Sequence, residues 1–126
     1  MHPIRRRLAV AASLLLAAAA TPALAHHTAA MFDKSKTVTL NGTVRLFQWS
    51  SPHGWIQLVV DGEGGPAEWT IEMGAPIELY RVGWKPGSLK PGDKIALTAN
   101  PTHDGSRAAL FVSAVRQDGS AIGTAK

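Results

Sequence analysis

An all-β fold is predicted: a small five-stranded barrel with one short helix between strands 3 and 4. Three observations predict it. Apolar and polar residues alternate with period two in five separate segments after residue 36, the pattern of half-buried strands. One further segment opens on Pro76 and stops at Gly83, the punctuation of a short helix. The chain has no cysteine to staple a sheet, and a sheet closed on itself leaves no free edge.

The segments follow in order. Residues 37–49 place Val38, Leu40, Val44 and Leu46 on one face and Thr37, Thr39, Thr43 and Arg45 on the other. Asn41-Gly42 in the middle reads either as a tight hairpin turn or as a bend in one long strand. Parity favours the bend, because the apolar residues keep even numbers straight through Gly42. Ser51-Pro52-His53-Gly54 breaks the pattern, and residues 55–60 form the second strand. A Gly-rich loop, 61–66, leads into the third, with Trp69, Ile71 and Met73 inward and Glu68, Thr70 and Glu72 outward. The helix from Pro76 carries Ile77, Leu79, Tyr80 and Val82. Residues 94–99 and 108–115 are the last two strands, separated by a polar loop. Five strands with a helix between the third and fourth is the order of an OB-type barrel. An open sandwich, with Asn41-Gly42 as a true hairpin, is the alternative.

Residues 1–25 read as a cleavable export signal. Arg5, Arg6 and Arg7 precede an uncharged Leu/Ala-rich run, Thr21-Pro22 breaks it, and Ala23-Leu24-Ala25 is a small-x-small cleavage pattern. The run is shorter than the roughly 20 residues of a membrane span, so no span is expected after cleavage. The arginines also loosely match a twin-arginine signal. The expected organisation is signal peptide 1–25, extended arm 26–36, barrel 37–116 and flexible tail 117–126, in a periplasmic or secreted protein. The formal charge of +4 counts the three signal arginines, so residues 26–126 carry +1. Such a balance argues against nucleic acid as a partner.

Several short motifs occur together: His26-His27-Thr28, Met31-Phe32-Asp33, Gly42-Thr43-Val44, Pro52-His53, Trp69, Gly83-Trp84, Pro91-Gly92-Asp93, Asn100-Pro101 and Asp104-Gly105. As an ordered set they resemble a family of small exported bacterial proteins catalogued as a domain of unknown function. The family's loop before strand 2 reads Asn-Pro-His, and Ser51 stands here where the Asn is. The resemblance implies the fold and the compartment and carries no activity.

Histidine is the residue with chemistry to offer. His26, His27, His53 and His103 all fall in predicted arms or loops. After cleavage His26 is N-terminal, and its amine and imidazole chelate one metal, with His27 or His53 as the next nitrogen donor and His103 as a further one. Nitrogen donors without thiolate suit copper or zinc, and Met31 is a soft partner for Cu(I). The bland reading is a solvated chain end and a turn histidine. Trp49 and Trp55 flank the His53 loop as a candidate ligand-binding wall, whereas Trp69 reads as core and Trp84 as a plug for the barrel end. Glu68, Glu72 and Glu78 fit a solvated strand face and a helix surface. No nucleophile elbow, phosphate loop or cysteine nucleophile is present, so no catalytic residue and no enzyme activity is expected. Two functions stay open: an exported binding protein that takes copper through its mature N-terminal histidines, and a metal-free protein- or ligand-interaction module of the envelope.

Overall fold

The structure, a computed structural model, describes residues 30–123. The predicted export segment, His26 and His27 fall outside these residues. Among the described residues no helix is long and apolar enough to cross a membrane.

β1 (Val38–Gln48) is the longest strand and sets the shape of the barrel. Its first half pairs antiparallel with β4 (Lys94–Pro101), Leu40 opposite Leu97. Its second half pairs antiparallel with β2 (Trp55–Val60), Val44 opposite Leu58 and Gln48 opposite Trp55. Gly42 and Thr43 belong to both ladders. Asn41-Gly42 is therefore a bend within one strand, and the hairpin is excluded because residues 38–40 pair with β4 instead of 44–46.

Parity survives Gly42 but fails at Arg45. The β1–β2 register shifts between Val44 and Leu46, a bulge that adds one residue to β1 and turns the following side chains over. Leu46, expected inward, is exposed, and Phe47 packs on the core in its place.

β2 pairs antiparallel with β3 (Ala67–Glu72), β3 runs parallel to β5 (Ala108–Arg116), and β5 returns antiparallel to β4. The closed order is β1-β2-β3-β5-β4. Val44, Ile56, Leu58, Ile71 and Leu97 fill the interior and are almost wholly buried. Between β3 and β4 in the chain lies α1 (Pro76–Arg81), whose Glu78 carboxylate accepts from the Ala75 N–H at 3.2 Å. Leu79 is its buried residue, while Ile77 and Tyr80 are exposed. Trp84 packs against Phe47 and Phe111 with ring centroids 5.8 and 5.3 Å apart, as a plug does.

Both described ends of the chain dock on the barrel. Phe32 is buried and bridges to Thr102, and the Asp33 N–H donates to the Pro101 carbonyl at 2.8 Å. At the other end Ala121 bridges to Val115 and Ile122 is buried. The tail expected to fray is therefore held as far as Gly123: one isoleucine in a small, polar stretch finds apolar surface that composition does not reveal.

Three aspartates close turns by accepting from the serine two residues on: Asp33 from Ser35, Asp104 from Ser106 and Asp118 from Ser120. The Ser35 hydroxyl, the Ser106 N–H and the Ser120 hydroxyl are the main causes that hold these carboxyls below their ordinary value of 3.8. A carboxyl with a lowered folded value favours folding fully above pH 3.8. That contribution is lost as the pH falls from there through the folded value. Thermal melts across this range are expected to show stability falling with pH below 3.8. A triple Asp→Asn variant at positions 33, 104 and 118 should show a shallower fall, and an unchanged slope would contradict the assignment.

Candidate functional site

The outer surface of β2 and β3 is where the polar side chains of this barrel meet. Alternation sends Ile56, Leu58 and Ile71 inward, so their neighbours form cross-strand pairs on the outside: Trp55 with Glu72, Gln57 with Thr70 and Val59 with Glu68. Thr70 Oγ1 donates to Gln57 Oε1 at 2.9 Å. Glu68 is paired at 2.8 Å with Arg45, the bulged residue of β1. Two loops border this surface. The β1–β2 loop carries His53 beside β3, and the β4–β5 loop is tied to β3 where the Thr70 N–H donates to the Arg107 carbonyl at 3.0 Å. In OB-type barrels strands 2 and 3 with these two loops form the usual binding face.

His53 is held from several sides. The Ser50 hydroxyl donates to its backbone carbonyl at 2.8 Å, and the next residue, Gly54, extends the β2–β3 ladder by bonding to Gly74 and Met73. The His53 Nδ1 lies 3.0 Å from the Met73 carbonyl oxygen. A carbonyl only accepts, so Nδ1 carries the hydrogen in that bond. Nε2 is then the nitrogen turned to Glu72, 3.5 Å from Oε1. Trp55 stands edge-on to the imidazole with ring centroids 6.4 Å apart.

Glu72 is the residue that sequence reasoning misplaced. It points outward, as the alternation predicts, but its side chain is only 6% exposed and not solvated. Its neighbours in the pairing are Trp55 of β2 and Leu110 of β5, both large enough to cover an outward-facing carboxylate. Among the described residues its ion-pair partner is the His53 ring, and no Lys or Arg is paired with it. A carboxylate this buried relies on its few polar neighbours. Only the isolated Glu in an otherwise Trp- and Leu-flanked ladder position hints at it, and that hint requires knowing the register.

The other predicted donors fall elsewhere. His103, on the β4–β5 loop, is exposed, with Nδ1 4.0 Å from Asp33 Oδ2, and its N–H donates to the Met31 carbonyl at 2.9 Å. Each described histidine thus has its own carboxylate, and among the described residues no three His, Asp or Glu side chains converge. Trp49 packs on Phe47, centroids 6.1 Å apart, and on the core, so Trp55 alone of the predicted aromatic pair stands beside His53.

Residues 12–112 match the sequence pattern of a family of unknown function, DUF6152. The chain belongs to the DUF6152 family. Among curated protein sequences none is significantly similar to it. Among solved structures, this DUF6152 protein is similar to the mitochondrial single-stranded DNA-binding protein Rim1 of S. cerevisiae. One crystal form gives a TM-score of 0.51 at 6% identity, covering 72% of this chain and 97% of Rim1. A second gives 0.48 at 10% identity, covering 65% and 94%. The likeness in the first form is one of fold, and it agrees with the OB-like barrel of the DUF6152 chain.

Proposed function

We propose that this protein is an exported, non-catalytic binding protein of the cell envelope that holds a copper ion between its N-terminal arm and the barrel. The observation that carries this reading is the docking of the arm. Met31, Phe32 and Asp33 lie along the β4–β5 loop, with the Met31 carbonyl bonded to the His103 N–H. His26 lies five residues before Met31, a reach of at most ~17 Å. Cleavage after Ala25 gives His26 a free amine, and that amine, the His26 imidazole, His27 and His103 form an all-nitrogen donor set suited to Cu(II). The Met31 thioether is exposed and is a donor type that suits Cu(I). His53 lies on the β1–β2 loop, away from the β4–β5 loop on which the arm docks, and is the weaker candidate for this set.

The test is a Cu(II) titration of the exported protein against a variant with one Ala placed before His26. The added residue is expected to abolish tight binding, because it moves the amine out of the chelate, while His103→Ala weakens binding less. Affinity should also drop as pH falls, since the donors must be free of protons to coordinate. Equal copper affinity with and without the added residue rules the clamp out. The second reading, a metal-free interaction module, draws instead on the β2–β3 face and its Trp55, and would then stand alone.

A further inference from the structure

We infer that His53 and Glu72 form a second metal site, separate from the N-terminal histidines, that takes a zinc-class divalent cation with one imidazole nitrogen and one carboxylate oxygen. Four features of the pair point to a cation.

The first is separation. Two donors at about 2.1 Å from a tetrahedral metal stand ~3.4 Å apart, and Nε2 and Oε1 are 3.5 Å apart. The second is orientation. Metal-bound imidazoles nearly always donate their other ring N–H to a carbonyl or carboxylate, which fixes the ring and aims the free nitrogen. The His53 Nδ1 bond to the Met73 carbonyl is that arrangement, and it leaves Nε2 for the ligand.

The third is charge. Glu72 is nearly buried, with no Lys or Arg to answer it among the described residues, and a cation at Nε2 supplies what is missing. Trp55 and Leu110 on either side in the ladder lower the local polarity and strengthen that attraction. The fourth is access. The His53 side chain is 37% exposed, so its ring can be reached from solvent.

A site with two protein donors and open positions differs from a structural zinc site, in which four protein ligands close the sphere. It holds its ion exchangeably and leaves room for a donor from a bound partner on the β2–β3 face. An imidazole and a carboxylate suit zinc and copper(II) and are poor for soft Cu(I). This inference does not rest on the copper clamp. Nothing in it involves residues 26–30.

The experiment uses the protein with Ala placed before His26, so that the clamp is blocked, and Zn(II) as the only added metal. Its melting temperature is expected to rise with the logarithm of free zinc. Glu72→Gln keeps the size of the side chain and removes its charge; it should weaken zinc binding by about tenfold or more, as should His53→Ala. His103→Ala should leave the zinc response unchanged. Imidazole nitrogen resonances give a readout independent of stability: zinc should move that of His53 Nε2 and leave His103 in place. The inference is overturned if zinc leaves the blocked protein unaffected, if folded Glu72→Gln responds as the parent does, or if His103→Ala removes the response. Failure of the copper clamp leaves these results untouched, and the reverse is equally true.

Discussion

Trp84→Ala is expected to cost the barrel about 3–5 kcal/mol, the range for deleting a fully buried large aromatic side chain. For a domain of this size that lowers the melting temperature by ~12 °C or more. Trp84 is 2% exposed and touches elements far apart in the chain. Its ring packs on Phe47 after the β1 bulge and on Phe111 in β5, and a Cβ at Gly123 would lie 2.5 Å from its Nε1. Removing the indole leaves a cavity that none of these neighbours can fill without leaving its own strand. It also loosens the docked tail, so amide exchange at Ile122 should quicken along with global unfolding. Chemical denaturation checks the size of the effect. A loss below ~1 kcal/mol would mean that the barrel end closes without its plug.

The second large effect is at Gly42. A methyl group there lies 2.5 Å from the Val59 carbonyl oxygen and 2.8 Å from Leu58 Cγ. The first contact is with backbone held in the β2 ladder, so it cannot be relieved by a rotamer change. Over-packing of a core costs 1–3 kcal/mol in ordinary cases. Here one strand must separate from another, and Gly42→Ala is expected to cost about 3 kcal/mol or more. Gly42→Val should leave no cooperative unfolding transition. Far-ultraviolet dichroism and thermal melts test this, and a Gly42→Ala protein that melts as the parent does would show that β1 is not pinched at its bend. The glycine matters because β1 serves two ladders at once: at Gly42 it is opposite Val60 on one side and Ile95 on the other.

Much of the molecule was legible along the chain. Alternation located all five strands, Pro76 and Gly83 bracketed the helix, and even numbering through Gly42 distinguished the bent strand from a hairpin. These are local properties: each depends on the chain's own period and on residues whose backbone freedom is known in advance. Placement of His53 and His103 in loops was legible for the same reason, because Pro, Gly and Asp beside them end the alternation.

What alternation could not reach was every feature that depends on a neighbouring strand. The register shift at Arg45 reversed the fates of Leu46 and Phe47, since a bulge is defined by what stands opposite and not by the residue itself. Ile122 counts as tail until Ala114 and Val115 are beside it: its N–H bonds to the Ala114 carbonyl at 3.3 Å. Glu72 is the instructive residue. Its outward direction follows from period two, but outward meant buried, because Trp55 and Leu110 flank it in the ladder and His53 is brought over it by the Nδ1 bond to Met73. Burial of a side chain on the outer face of a barrel is set by three segments that meet only when the sheet closes, and so the imidazole–carboxylate pair exists in the tertiary structure alone.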